Sequence, residues 1–308
     1  MTGVINVYKE KGYTSFDVVA IIRKLLSGGP KAKKIKTGHT GTLDPQAEGV
    51  LPICVGRATK LAGHLTAAEK SYRAELILGI TTDTYDNTGQ ILSESPVNFD
   101  MKEIERAITC FDRGYMQVPP MYSALKVNGQ RLHQLARAGK TVERSPRKVE
   151  ISRISIIDTD PASNRLVLDV DCGKGTYIRS LCADIGQKLG CGGCMGDLTR
   201  TRSGAFHIEN ALRISQLKQA AEENNRDFLI PVDEAFSAPK GILNSFFKEA
   251  VNGRSIPPAY CSFDKELLEG GFCWLYGKEN SDENFLIGLF IMKDGKLKPE
   301  VMMYENYT

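Results

Sequence analysis

Residues 38–60, GHTGTLDPQAEGVLPICVGRATK, constrain the fold more than any other stretch. Four glycines, two prolines, a histidine and an aspartate do not make one regular element, so the span reads as a long irregular segment. Irregular segments of this length inside compact domains are usually functional. Asp44 precedes Pro45, which biases it toward extended backbone and out of a helix. A carboxylate pinned in this way is a candidate nucleophile or base; the bland alternative is a turn-initiating Asp-Pro.

The surroundings are patterned. In residues 16–26, FDVVAIIRKLL, the spacing puts Phe16, Val19, Ile22 and Leu26 on one helical face, with Thr14 and Ser15 offering the N-cap. Residues 72–79 and 165–171 alternate as half-buried strands do. A short amphipathic helix around 101–111 turns Ile104, Ala107, Ile108 and Phe111 inward. Ile178, Leu181, Ile185 and Leu189 recur at helical spacing, and Gly190 is placed to end that helix. Residues 119–150 differ: they hold Pro119, Pro120 and seven basic residues with few apolar ones after Leu135, as an inserted basic hairpin and helix would. After Pro239-Lys240-Gly241, short aromatic-rich strands at 271–277 and 285–292 predict a small all-β C-terminal domain.

A chain of 308 residues suggests two domains, or one with an appendage. The net charge of +3 hides an alternation: residues 1–60 carry +6, 61–120 carry −4, 121–213 carry +6 and 214–308 carry −5. Two basic blocks offer a polyanion footprint, although a solvated charged surface gives the same count. Eight scattered cysteines do not read as a disulfide framework. No run approaches the roughly 20 apolar residues a membrane helix needs. The start, MTGVINVYKE, lacks the pattern of a secretory signal, so a cytoplasmic location is expected.

A second cluster is CGKGTYIRSLCADIG at 172–186, a strand end and a Gly-x-Gly turn leading into a helix that opens with Tyr177 and Arg179. That arrangement suits an anion or a carboxylate partner, or is simply a tight strand-to-helix turn. Cys191-Gly-Gly-Cys194 has ligand spacing, but no second pair follows it and the four histidines lie far apart, so no metal is expected. Ser-His-Asp, Walker A and Rossmann signatures are absent.

GHTGTLDPQAEGVLPICVGRATK closely resembles the catalytic-aspartate motif of the TruB family, the bacterial tRNA pseudouridine-55 synthases. KGYTS at 11–15, KSYRAELILGITTDTYDNTGQI at 70–91 and QVPPMYSALKVNGQRLHQLARAG at 117–139 resemble further family motifs in the same order. RKVEI at 147–151, CGKGTYIRSLCADIG and LTRTRSGAF at 198–206 complete the set. Two positions depart from the pattern: Glu10 follows Lys9 where Pro is usual, and His133 stands where Tyr is common.

The resemblance implies an α+β fold: a mixed, largely antiparallel sheet with flanking helices and a small C-terminal PUA-like β domain. Residues 1–240 would be catalytic, with an RNA-clamping insertion at about 119–150, and 241–308 would be the β domain. It implies isomerisation of uridine 55 in the TΨC loop of tRNA, after base flipping, by a monomer without cofactor, metal or obligatory protein partner. Asp44 matches the family's nucleophile, Tyr177 the tyrosine that takes the C5 proton, and Arg179 the partner that keeps Asp44 ionised and aimed. Attack at C1′, attack at C6 and removal of a ribose proton all remain open for Asp44. Tyr72 matches the tyrosine that stacks on the flipped base, His39 a contact to the substrate loop, and Leu198 an apolar pocket wall. Lys126, Arg131, Arg137, Lys140 and Arg144 of the insertion are the expected RNA contacts. The rival readings are a guide-RNA-dependent rRNA pseudouridine synthase and a tRNA-binding folding chaperone with secondary catalysis.

Overall fold

The computed structural model describes residues 1–27, 35–123, 125–127, 129–140, 142–278 and 283–304; the side chains of Lys126, Arg131, His133 and Arg137 lie outside the described residues. Alternating strands build one large sheet in the order Ile151–Asp160, Arg165–Cys172, Lys70–Leu78, Gly193–Ser203, Glu48–Val55, Gly3–Lys9 and Leu212–Arg213. Thr37–His39 and Phe206–His207 pair with it off this path. Gly193–Ser203 runs parallel to Glu48–Val55, and Gly3–Lys9 parallel to Leu212–Arg213; the other pairings are antiparallel. The sheet is mixed and largely antiparallel, and the fold is α+β.

Helices cover one face. Ser15–Leu26, Met101–Thr109, Ile178–Lys188 and Ile214–Glu222 pack Val18, Ile22, Ile104, Leu181 and Leu217 against Ile5, Leu51, Leu76 and Leu168. Thr14 caps the first helix in a full capping box with Asp17, as its sequence predicts. On the opposite face, the Lys70–Leu78 and Arg165–Cys172 strands meet solvent through cross-strand charge pairs: Arg73 with Asp169 (2.9 Å) and Arg165 with Glu75 (2.7 Å). Such exposed pairs contribute only ~0.2–1 kcal/mol each.

The strand at 48–55 corrects the expectation of unbroken irregularity through 38–60. Only 40–47 is irregular; Glu48–Val55 is a strand containing both Gly49 and Pro52. Pro52 is tolerated because its carbonyl accepts from Thr40 N–H (3.1 Å). Its missing N–H therefore faces the gap between the pairings with Thr37–His39 and with Gly193–Ser203. Gly49, at φ +101, is required: a Cβ there would lie 2.3 Å from the Arg200 carbonyl. That close approach sets the Arg200 strand against the Asp44 loop.

A second, five-stranded sheet follows from Lys240: Cys261–Phe263, Lys240–Leu243, Phe272–Gly277, Phe285–Lys293 and Lys296–Met302. It has its own core around Leu275, Ile287, Phe290 and Leu297. Its Trp274 and Leu289 join Val4, Val50, Cys54 and Leu61 behind the first sheet. Trp274 is fully buried and donates from Nε1 to the Phe236 carbonyl (2.7 Å), so its one polar atom is satisfied where the two units meet.

Candidate active site

The loop that carries Asp44 is fastened on several sides. Ser15 Oγ accepts from Leu43 N–H (2.9 Å) and donates to the Leu43 carbonyl (3.2 Å). The Pro45 carbonyl accepts from Lys9 Nζ (3.1 Å) and from Gly12 N–H (2.8 Å). The Gly41 carbonyl accepts from Arg200 Nη2 (3.2 Å). Lys9 is completely buried and donates also to the carbonyls of Glu10 and Tyr13; burial pulls its ammonium down to about 8. Glu10, where the family usually has Pro, pairs with Arg213 (3.1 Å) and leaves the Lys9 clasp intact.

Arg179 lies in the first turn of the Ile178–Lys188 helix and is buried. Its Nε meets Asp44 Oδ2 at 3.0 Å and its Nη1 meets Asp86 Oδ2 at 3.5 Å. Nη1 also donates to the Thr84 carbonyl (3.1 Å) and Nη2 to the Tyr122 carbonyl (2.8 Å). The fork is thus immobilised by main chain and aimed at two carboxylates. Asp184, further along the same helix, accepts from Tyr115 (2.6 Å). Asp44 is the reachable member, with 42% of its side chain exposed against 6% for Arg179 and 14% for Asp86.

The electrostatics hold one departure from expectation. Arg179 aims the Asp44 carboxylate and favours its charge, yet the sum of effects is upward. Burial raises the pKa of Asp44, Arg179 opposes this, and neighbouring Asp86 adds to the rise. Asp86 is held by hydroxyls of Thr84 (2.8 Å) and Thr88 (2.6 Å) and by Thr88 N–H (3.0 Å).

Tyr177 is the N-cap residue of the same helix, and its N–H donates to Gln117 Oε1 (2.8 Å). Burial raises its phenol; a hydrogen bond with Ser123 and the Arg179 charge work against that rise. Tyr72 is buried on Lys70–Leu78, directly across the ladder from Arg200. The Asp44 charge is felt by Lys9, Tyr72 and Tyr177, so these groups share its neighbourhood. Leu198 is buried and lines a narrow cavity with Asp44, Ala47, Asp86 and Met195. His39 is half-buried; its Nδ1 accepts from Gly41 N–H (3.3 Å), and burial lowers its pKa, leaving a neutral ring. It therefore does cap the local turn while standing at the rim of the Asp44 loop.

The insertion rises from a two-stranded base, Tyr115–Gln117 against Arg147–Val149, and carries the short hairpin Lys126–Val127/Gln130–Arg131 and the helix Leu132–Arg137. Of the expected RNA contacts, the side chains of Lys126, Arg131 and Arg137 lie outside the described residues. Lys140 is exposed. Arg144 is half-buried and donates to the Pro119 carbonyl (3.1 Å), which ties the two ends of the insertion together. Lys9, Asp86, Gln117 and Arg200 were given no role by sequence reasoning, although each falls inside or beside a quoted motif.

A carboxylate presented by a rigid loop and paired with a buried fork is equipped for covalent or base catalysis. Residues 28–178 match the model of the TruB family pseudouridylate synthase N-terminal domain, and residues 179–237 that of the tRNA pseudouridylate synthase B C-terminal domain. The chain belongs to the TruB family of pseudouridylate synthases. It is 44% identical over 305 residues to the tRNA pseudouridine synthase B of Clostridium novyi, covering 98% of this chain and all of that one. The Lachnoclostridium phytofermentans protein of the same name is 47% identical over 285 residues, covering 89% of this chain and 87% of that one. Among solved structures, an H/ACA RNP bound to a substrate RNA containing 2'-deoxyuridine aligns with TM-score 0.72 at 23% identity, covering 99% of this chain and 86% of that one. The archaeal box H/ACA sRNP Nop10-Cbf5 complex gives 0.70 at 24%, covering 99% and 87%. At such identities these two establish the fold. The TruB chain is an isomerase by membership.

Proposed function

We propose that this TruB chain converts uridine 55 in the TΨC loop of tRNA to pseudouridine, acting alone, in the cytoplasm and without cofactor or metal. The observation that carries the reading is the Asp44–Arg179 pair (3.0 Å) beside Leu198, with the Asp44 charge felt by Tyr72 and Tyr177. The relatives named tRNA pseudouridine synthase B supply the RNA class. Residues 1–240 form the catalytic part in this reading, and 241–308 a small accessory β domain.

The target uracil leaves the loop stack and enters the cavity. Tyr72 supports one face of the ring and Leu198 the edge. Asp44 then acts by attack on C1′ or C6, or by taking a ribose proton. The N1–C1′ bond breaks, the base rotates, and a C5–C1′ bond forms. The Tyr177 oxygen takes the C5 proton as the phenol gives up its own to solvent, and N1 gains a proton from solvent, so the product is an isomer of the substrate. Lys140 meets RNA phosphate outside the cavity, with Lys126, Arg131 and Arg137 as further contacts.

The test uses a tRNA transcript tritiated at uracil C5, with no other component. Tritium release should follow from the normal transcript and stop when position 55 carries cytidine. Asp44→Asn should abolish release while leaving tRNA affinity within about tenfold, because phosphate contacts dominate binding. Release independent of position 55, or turnover by Asp44→Asn, refutes the assignment.

A further inference from the structure

Phe16 is placed by its spacing on the inward face of the first helix, yet it is 67% exposed. Ser15 is buried in its stead, because its hydroxyl clasps both the N–H and the carbonyl of Leu43. With Ser15, Val18, Ile22 and Leu26 turned inward, the next position along lies roughly 100° round the helix and projects outward. The clasp that seats the catalytic loop therefore also expels an aromatic ring to the surface one residue away.

That ring is not free-floating. It packs edge-on against His39, with centroids 5.5 Å apart and planes at 84°. His39 is in turn fixed by the Gly41 N–H. Tyr13, 38% exposed, lies on the same connection between strand and helix. A large aromatic left in water beside a catalytic loop, and braced by a second ring, has the form of a stacking surface.

Resting on the tRNA reading above, we propose that Phe16, braced by His39, stacks on an unpaired base of the substrate loop adjacent to the uridine that enters the cavity. An RNA base fits better than an apolar protein partner. Residues 1–60 carry a net charge of +6, and Lys24 and Lys36 are exposed near this helix and strand, so a polyanion is drawn to this side. Ser15 is clasped to Leu43, next to Asp44, so Phe16 follows directly on the residue that seats the Asp44 loop. Stacking is sequence-tolerant and works without charge, which distinguishes it from the lysine and arginine contacts of the insertion.

The experiment compares the full chain with Phe16→Leu and Phe16→Trp, using a T-arm RNA with 2-aminopurine at a loop position beside uridine 55. Wild type should quench the probe on binding. Phe16→Leu should lose most of the quenching and weaken binding by about five- to a hundredfold, the range for one base–aromatic stack. The slope of log affinity against log salt should stay unchanged, because no phosphate contact is removed. Phe16→Trp should restore both signals. Equal quenching and affinity for Phe16→Leu and wild type overturn the stacking role alone. Failure of wild type to bind the RNA overturns the tRNA reading and this inference with it. Thermal unfolding midpoints, which should match for so exposed a position, separate a folding defect from a lost contact.

Discussion

Arg179→Met removes the cation that pairs with both carboxylates while keeping a side chain of similar length. Four contacts are lost: Asp44 at 3.0 Å, Asp86 at 3.5 Å, and the carbonyls of Thr84 and Tyr122 at 3.1 and 2.8 Å. Removing one partner of a buried pair costs ~3–5 kcal/mol. Asp44 is 42% exposed, so water takes over part of the loss, and ~2–3 kcal/mol is expected at neutral pH. The loss should depend on pH with a definite sign. Asp44 already titrates above its unfolded value through burial, so the fold holds its proton more tightly than the unfolded chain does. Its protonated form stabilises the fold, and that contribution fades as pH rises through the folded pKa. Without Arg179 the opposing influence is gone and the pKa moves further up. The stability gap between wild type and Arg179→Met should therefore be smallest in acid and widen toward neutral pH. Urea unfolding across pH measures the gap, and single-turnover tritium release should fall by at least ~10²–10³. Arg179→Lys keeps the charge without the fork and should lie between the two. A gap that is constant with pH, or widest in acid, refutes this reasoning.

Tyr177→Phe should lose ~10²–10⁴ in rate on normal tRNA, yet rearrange 5-fluorouridine tRNA, which has no C5 proton, at a rate near wild type. Equal losses on both substrates would show that the phenol serves an earlier step. Lys140→Ala should lower the magnitude of the salt slope of binding by roughly 0.7–0.9, as one lost phosphate contact does. Arg144→Ala should leave that slope nearly unchanged and instead increase proteolysis within the insertion, because its guanidinium holds the Pro119 carbonyl. Lys9→Met, compared with wild type, should reveal stability that grows as pH rises from about 8 toward the ordinary lysine value, since the fold holds the Lys9 proton less tightly than the unfolded chain. A stability difference flat across that window would rule out a buried, strained ammonium.

Local rules made much of this molecule legible in advance. Thr14 and Ser15 were the expected caps and Thr14 is the one used, and the alternation at 72–79 and 165–171 marks two strands that prove neighbours in the main sheet. Asp44 stood out through the resemblance of the whole 38–60 motif, since an Asp-Pro alone reads equally as the start of a turn. What escaped was set by pairing between distant segments. Glu48–Val55 is a strand because Gly3–Lys9 pairs along its whole length, and that partner outweighs Gly49 and Pro52. Asp86 reaches Arg179 only because the loop after Lys70–Leu78 folds back to meet the start of a helix nearly a hundred residues later. Phe16 misled because the rest of its stripe, Val19, Ile22 and Leu26, is buried as expected, while at the first turn Ser15 takes the inward place through its clasp with Leu43. Errors of this kind gather where function overrides local preference.

The charge balance around Asp44 explains why so many cations are buried in one place. Lys9, Lys70, Arg179 and Arg200 are all buried, and only Arg179 meets carboxylates. Main-chain carbonyls hold the others: Pro45 and Tyr13 for Lys9, Thr66 and Ala68 for Lys70, Val50 and Gly41 for Arg200. Carbonyls orient a cation without cancelling its charge. Burial pulls Lys9 and Lys70 down to about 8, which leaves both mostly protonated at pH 7. Arg179 and Lys9 act on Asp44 directly and Arg200 holds its loop at Gly41, in a region of low dielectric where charge is felt at longer range than in water. For a fold alone this is unfavourable, and apolar residues of the same size would serve better. In the RNA reading proposed above, the positive charge near the Asp44 carboxylate has a use. It offsets the repulsion between Asp44 and the RNA, and it does so from beneath the loop, without occupying the cavity that the base must enter.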